Sequence, residues 1–171
     1  MAGYVVFLRG VTPTNVQMPE LKRCFEAAGF LEVRTVLASG NVVLTSRLES
    51  LAQIERQAEA AMQPRLGRKF YSIARSVDSL QEMLEADPFA PFNLPADAKR
   101  VVTFLRADRK PAHPLPIELG GARILAAMGR EAFTAYIPSS RGPVFMALIE
   151  KTFGIDVTTR TWETVKKCVK A

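Results

Sequence analysis

Apolar residues in the first part of the chain fall into short β-rich runs and one longer segment with helical spacing. Residues 4–8 form an unbroken apolar run, which predicts a central strand. Within residues 18–30 the apolar positions recur at helical spacing, and Gly29 ends the pattern as a helix C-cap does. Residues 33–37 and 41–45 are again β-rich. The order predicted is therefore strand, helix, strand, strand.

Two further elements complete a recognisable unit. The turn Ala38-Ser39-Gly40 joins the second and third strands, and its glycine supplies the positive φ of a tight hairpin. Apolar spacing over residues 48–66 predicts a second helix, and alternation over residues 68–75 predicts a fourth strand. This βαββαβ order is that of the ferredoxin-like α/β plait.

A proline-rich stretch separates this unit from the rest of the chain. Residues 76–84 have a helical pattern, and residues 87–95 contain three prolines, which interrupt helices and strands alike. The remaining elements are strands at 100–105, 122–127 and 132–137, helices at 144–153 and 161–169, and a short β-rich run at 155–157.

The fold class predicted from these elements is α+β. Two ferredoxin-like subdomains are expected, each an antiparallel sheet with helices packed mainly on one face. Their limits are an N-terminal domain at residues 1–76, a helix and connector at 77–97, and a C-terminal plait-like domain with a terminal helix at 98–171. The similar openings of the two halves, Val5-Val6-Phe7-Leu8-Arg9 and Val101-Val102-Thr103-Phe104-Leu105-Arg106, indicate a repeat.

The predicted topology brings polar residues from distant positions to one edge of the first sheet. Arg9-Gly10 follows the first strand, and Ser39-Gly40-Asn41 forms the hairpin turn, so the two segments meet beside the start of the first helix. The second helix ends at the same edge, which adds Arg68 and Lys69. Cations beside backbone N–H donors predict a site for a phosphate or carboxylate.

Each of these residues also has a structural interpretation. Arg9 could tie down the hairpin through bonds to backbone carbonyls, and Asn41 could satisfy the turn with its own amide. Arg160, ahead of the last helix, either bridges the two halves or faces a ligand between them. The sequence leaves these alternatives open.

Composition narrows the function classes. The chain has 171 residues, 48% of them hydrophobic, and carries a net charge of +6, which suits nucleic-acid or phosphate ligands. No apolar run approaches the length of about 18 residues that a membrane span needs, and no signal peptide is apparent, so a cytoplasmic location is expected. Two isolated cysteines and the lone His113 make metal, cofactor or catalytic-triad chemistry unexpected.

Several short motifs resemble one known family. They are Leu8-Arg9-Gly10, Gly29-Phe30, Val33-Arg34-Thr35, Ser39-Gly40-Asn41-Val42-Val43 and Thr159-Arg160-Thr161-Trp162-Glu163-Thr164-Val165. Their order and spacing resemble the family known as domain of unknown function 1697. The resemblance implies two α/β plait domains and no assigned activity. The chain departs from the family pattern in the loop at residues 11–15, at Thr161, and in the loop at residues 138–143.

Three function hypotheses follow. The leading one is a binding or regulatory protein that recognises a small anionic ligand at the N-terminal sheet edge or in the interdomain cleft. RNA binding is the second, although the third strand lacks the aromatic pattern that stacks bases. Hydrolysis of a phosphoryl group by Arg9 and Asn41, as in acylphosphatases, is the third and rests on fold analogy. No catalytic constellation supports an enzyme otherwise, and the sequence leaves the oligomeric state open.

Overall fold

A computed structural model describes residues 1–138 and 144–171. The fold is mixed α+β, with five α-helices and two antiparallel sheets of four and five strands within those residues. In chain order the elements are β1 (Ala2–Leu8), α1 (Met18–Ala27), β2 (Leu31–Val36), β3 (Asn41–Ser46), α2 (Leu51–Leu66), β4 (Ser72–Ser76), α3 (Val77–Ala86), β5 (Lys99–Leu105), β6 (Ile117–Leu119), β7 (Ala122–Met128), β8 (Glu131–Tyr136), α4 (Val144–Phe153), β9 (Val157–Thr161) and α5 (Trp162–Lys170).

The backbone divides into two compact units. The first contains Met1–Glu85 together with Thr164–Ala171, and the second contains Ala86–Glu163. Helix α3, apart from its last residue Ala86, therefore belongs to the first unit, and so does the chain from Thr164 onward.

The first unit is built around β1, which lies between two antiparallel partners. The strand order is β2-β3-β1-β4, so β3 separates β1 from β2 as the sequence predicted. Phe7 of β1 lies opposite Asn41, the first residue of β3. One face of the sheet forms a core with α1 and α2, to which Val6, Leu21 and Ile54 contribute fully buried side chains.

The opposite face of this sheet is also buried. Val5, Phe7 and Ile73 are 0% exposed, although they alternate with the residues that face α1 and α2. A Cβ built on Gly3, on the same side as Val5, would stand 3.3 Å from the Val77 side chain of α3. Helix α3 thus begins on this second face of the first unit's sheet, whereas the sequence pattern predicts helices mainly on one face.

The end of α1 shows how local sequence sets the entry to β2. The N–H of Gly29 donates to the carbonyl of Glu26, and that of Phe30 donates to the carbonyl of Phe25. This pair of bonds is a Schellman motif, and it requires the positive φ of 95° found at Gly29. The rings of Phe25 and Phe30 lie 5.6 Å apart and add the hydrophobic contact that accompanies the motif.

The second unit repeats the central strand arrangement of the first. Its sheet has the order β6-β7-β8-β5-β9, so β5 lies between the second strand of a hairpin and the strand that follows α4. The amide of Leu105 donates to the carbonyl of Arg130 at 2.8 Å, just as Leu8 in β1 donates to Gly40 at 2.8 Å. The similarity seen between the two β-rich segments is therefore accompanied by similar strand pairing.

One difference separates the two units. Residues 106–116, which follow β5, form a loop, whereas β1 is followed by helix α1. Three prolines, Pro111, Pro114 and Pro116, disfavour a helix there. Strand β6, which the sequence analysis did not predict, then adds a short edge to the sheet.

The proline-rich segment predicted as a connector also contributes to the core of the second unit. Phe89 is 2% exposed, and its ring lies edge-on to Phe133 and to Trp162, with ring centroids 5.7 and 5.0 Å away. A short 3₁₀ turn, Ala90–Phe92, follows it. Phe89 thus belongs to the core of the second unit, although the proline-rich composition around it predicted only a connector.

Candidate anion-binding site

Backbone pairing brings Arg9 to the edge that the sequence predicted. The N–H of Leu8 donates to the carbonyl of Gly40 in the hairpin turn. The next amide, that of Arg9, donates in the other direction to the carbonyl of Tyr71 at 2.9 Å. Arg9 therefore lies between the β2–β3 turn and the segment that enters β4. Its side chain is half-buried.

The loop after Arg9 is closed by an asparagine. Gly10 has a φ of 87°, and its carbonyl accepts a hydrogen bond from Nδ2 of Asn15 at 2.8 Å. Oδ1 of Asn15 accepts from the amide of Thr12 at 2.8 Å, while the hydroxyls of Thr12 and Thr14 are 3.0 Å apart. Since one side chain satisfies both sides of the loop, the Thr-Pro-Thr-Asn segment has a defined shape without the glycines typical of the resembling family.

The end of α2 supplies two exposed cations to the same edge. Gly67, with a φ of 72°, ends the helix and turns the chain toward β4. The guanidinium carbon of Arg68 lies 4.2 Å from the centre of the buried Phe70 ring. That ring is 4.0 Å from the point where a Cβ on Gly10 would stand. The ring thus holds the Arg68 charge beside the Arg9-Gly10 loop, and Lys69 is exposed next to it.

Asn41 has the structural role. Its side chain is 0% exposed, and Nδ2 donates to the carbonyl of Val36 at 2.9 Å and to Oγ of Ser39 at 3.0 Å. The amide thus closes the hairpin across its own turn, as one of the two interpretations of the sequence stated. Because its side chain is enclosed, Asn41 stabilises the turn in this structure, and a direct contact with a ligand stays a prediction.

We expect Asn41→Ala to destabilise the protein, whereas Ser39→Ala should have little effect. Removing the amide leaves the part-buried carbonyl of Val36 without this donor, which costs about 1–3 kcal/mol. Ser39 is exposed, and its hydroxyl accepts a hydrogen bond from the same amide, which is still held by the carbonyl of Val36 when the hydroxyl is removed. Urea unfolding of the two variants measures the difference. Equal midpoints for Asn41→Ala and the parent protein would show that the amide does not stabilise the turn.

Arg160 belongs to the second unit. It is 9% exposed, and its Nη1 donates to Oγ1 of Thr158 and to the carbonyl of Thr159, both at 2.8 Å. These bonds brace strand β9 from within. Arg160 therefore lies in a different unit from the other predicted site residues. Those in the first unit include Arg9, Gly10, Ser39, Arg68 and Lys69.

The two cysteines lie inside the protein. Both Cys24 and Cys168 are buried free thiols. Burial, and then the nearby Glu20 carboxylate, raise the pKa of the Cys24 thiol, so that it stays protonated near neutral pH. Among residues 1–138 and 144–171, no three His, Cys, Asp or Glu side chains stand close enough together to share a metal ion. Within the same ranges, no helix has both the length and the apolarity to cross a membrane.

Comparison with known proteins identifies the family. A family model described as "Protein of unknown function (DUF1697)" matches residues 1–138. The chain belongs to the DUF1697 family. This confirms the resemblance read from the short motifs. Of the places where the chain departs from the family pattern, the loop at 138–143 lies, from residue 139 onward, outside the described residues.

A solved structure shares the fold of this DUF1697 protein. It is that of the conserved bacterial protein SP0830 from Streptococcus pneumoniae, with a TM-score of 0.64 and 19% sequence identity. The alignment covers 99% of this chain and 97% of that one. No curated protein matches the chain at a significant level. The comparisons therefore establish family and fold, and the function must be argued from the site.

Proposed function

We propose that this DUF1697 protein binds a small anion, a phosphate or carboxylate group, at the sheet edge formed by Arg9, Gly10, Arg68 and Lys69. Its role would be binding or regulation rather than catalysis. We also propose that each unit is a ferredoxin-like plait domain, with the first helix of the second domain replaced by the loop at 106–116. The strand orders β2-β3-β1-β4 and β7-β8-β5-β9 support that description.

The placement of Arg68 is the observation that carries the binding proposal. An arginine on a flexible loop has many side-chain conformations, but stacking on the buried Phe70 ring restricts this one. Because Gly10 has no side chain, a ligand oxygen has room to approach the backbone while it accepts hydrogen bonds from Arg68.

The expected affinity is modest. Hydrogen bonds between ions are worth about 1.5–3 kcal/mol each, but Arg68 and Lys69 are exposed, so solvent screening reduces their contribution. After the loss of ligand freedom, two or three such bonds correspond to a dissociation constant of about micromolar to millimolar. A larger ligand that carries the anion would bind more tightly through its remaining atoms.

Titration with inorganic phosphate, followed by NMR of the backbone amides, tests the proposal. We expect the amides of Gly10, Asn15 and Gly40 to shift first, because they lie in or beside the loop next to the cations. Arg68→Ala should weaken these shifts several-fold by removing the stacked charge. Arg9→Ala should abolish them if the half-buried Arg9 guanidinium turns toward the bound anion.

The matched control is Arg56→Ala, which removes an exposed cation from the middle of α2 in the same unit. It changes the net charge equally, so it corrects for general attraction of phosphate to a basic protein. Equal weakening by Arg56→Ala and Arg68→Ala would contradict a defined site. If Arg9→Ala unfolds the protein, Arg68→Ala and Lys69→Ala still decide the question, because both side chains are exposed.

The two alternative functions find less support. RNA recognition of the plait type needs an open sheet face that presents aromatic side chains, whereas Val5, Phe7 and Ile73 on that face are fully buried. Phosphoryl hydrolysis of the acylphosphatase type would need Arg9 and Asn41 to face one substrate. The Asn41 amide is enclosed in the hairpin turn, which leaves that pair incomplete.

A further inference from the structure

A cavity in the second unit lies apart from the residues of the proposed edge site. Its volume is about 480 Å³, within the range of about 300–1,000 Å³ that small-molecule sites occupy. It opens where β5 begins and where β9 passes into α5, and all of its lining residues belong to the second unit. The residues that give it its chemistry are Leu94, Pro95, Lys99, Arg100, Trp162 and Glu163.

Two neighbouring cations border the cavity. Lys99 and Arg100 are exposed, and neither side chain has a hydrogen-bond or ion-pair partner among residues 1–138 and 144–171. Elsewhere in this unit, Arg130 lies 3.7 Å from Asp108 and Arg123 lies 3.9 Å from Glu118. Glu163, the one carboxylate of the lining, has an interaction of its own. The lining therefore carries two cations and one carboxylate, a net charge of +1.

The other walls are apolar and fixed in place. The segment before β5 is folded back by a bond from the amide of Ala98 to the carbonyl of Pro95 at 3.1 Å, which presents Leu94 and Pro95 to the cavity. Trp162 also belongs to the lining, and although it is only 5% exposed, its ring is held edge-on by the buried Phe89 ring, so this part of the border is rigid. Rigid aromatic surface next to a few charged groups is typical of a site for an organic ligand.

We propose that this cavity is a second binding site, for a small organic anion whose carboxylate or phosphate is attracted by the exposed cations Lys99 and Arg100 of the lining and whose apolar body packs against Leu94 and Pro95, near Trp162. The forked guanidinium of Arg100 and the compact ammonium of Lys99 suit either anionic group. Inorganic phosphate or acetate lacks the apolar body and binds much more weakly. This separates the cavity from the edge site, which is proposed for the anion alone.

Trp162 provides a direct reporter, because it is the only tryptophan in the chain. The experiment uses the full chain and follows both indole fluorescence and the single indole N–H resonance during titration with benzoate and with phenyl phosphate. We expect a saturable change with at least one of them, with a dissociation constant of about millimolar or below. Inorganic phosphate and acetate should need at least about tenfold higher concentrations. Comparison of the two aromatic probes identifies which anionic group the cations prefer.

Charge-removing variants locate the site. Lys99→Gln and Arg100→Gln should each weaken binding about three- to tenfold, and the double variant more than either, because both are exposed and partly screened. Lys151→Gln removes an equally exposed cation from α4 of the same unit and should leave the affinity unchanged. Thermal unfolding of each variant confirms that the fold is retained.

Three results would overturn the proposal. One is the absence of a saturable Trp162 response to either aromatic probe up to its solubility limit. Another is an unchanged affinity in the folded double variant Lys99→Gln/Arg100→Gln. The third is equal affinity for inorganic phosphate and phenyl phosphate, which would show that the apolar wall does not contribute.

Discussion

Gly40→Ala should destabilise the protein by about 2–5 kcal/mol, because both the backbone conformation and the space around this residue exclude a side chain. Gly40 has a φ of 85°, and a left-handed conformation costs an L-residue about 1–2 kcal/mol. Space is also lacking, since a Cβ there would stand 2.8 Å from Cβ of Val11 and 3.0 Å from Cβ of Leu8. Both neighbours are buried, so relief of this overpacking costs about a further 1–3 kcal/mol.

Gly67→Ala is the matched control that separates the cost of overpacking from the cost of the backbone conformation. Gly67 has a similar φ of 72°, but nothing lies within 4 Å of the position of its Cβ. We therefore expect only the conformational cost of about 1–2 kcal/mol there. Urea unfolding of the two variants gives both values. Equal destabilisation by Gly40→Ala and Gly67→Ala would show that Val11 and Leu8 yield without cost.

The elements that the sequence predicted well are those fixed by short-range pattern. The predicted helix at 144–153 coincides with α4, and the β2–β3 hairpin has its positive φ at Gly40 as expected. Periodicity, glycine ends and turn chemistry are local, so they can be read without knowing what packs against the element. The meeting of Arg9 with the β2–β3 turn could be predicted from the order of the elements. That order places the end of β1 beside the start of β3.

The features that the sequence missed depend on tertiary contacts. Asn15 was treated as part of a variant loop, yet its amide closes that loop through Gly10 and Thr12. Arg68 was predicted as a cation at the edge, but its stacking on Phe70 depends on where a buried ring emerges. In the sequence, only the spacing Arg68-x-Phe70 hints at this stacking. In a strand that spacing merely indicates that the two residues lie on the same side.

The burial of Glu55 is a further feature that the sequence does not reveal, because a carboxylate within a helical pattern is normally expected to face solvent. It is 3% exposed, and its Oε2 accepts a hydrogen bond from the amide of Ala74 at 2.9 Å. One turn later, Oε2 of Glu59 accepts from the amide of Ser72 at 3.0 Å and from its hydroxyl at 2.9 Å. These amides belong to β4, an edge strand of the sheet. Two carboxylates of α2 thus occupy N–H groups that an edge would otherwise present to another chain.

We expect Glu55→Ala to lower the free energy of unfolding by about 1.5–3 kcal/mol, since a hydrogen bond to a buried charge is lost and the Ala74 amide is left without this acceptor. Glu55→Gln retains an acceptor oxygen of the same reach and should lose only about 1 kcal/mol. Glu26→Ala, at an exposed position of α1, should change stability by no more than about 0.5 kcal/mol. Urea unfolding of the three variants gives the order.

Hydrogen exchange of the Ala74 amide separates edge capping from a general loss of stability. If Glu55 protects that amide, exchange at Ala74 should accelerate more in Glu55→Ala than exchange at Val6, which lies opposite it in β1. The double variant Glu55→Ala/Glu59→Ala frees both edge amides of β4 and should associate in a concentration-dependent manner, because an uncovered edge strand pairs with a second copy. A folded double variant that stays unassociated, with uniform exchange along β4, would show that the carboxylates stabilise α2 without guarding the sheet edge.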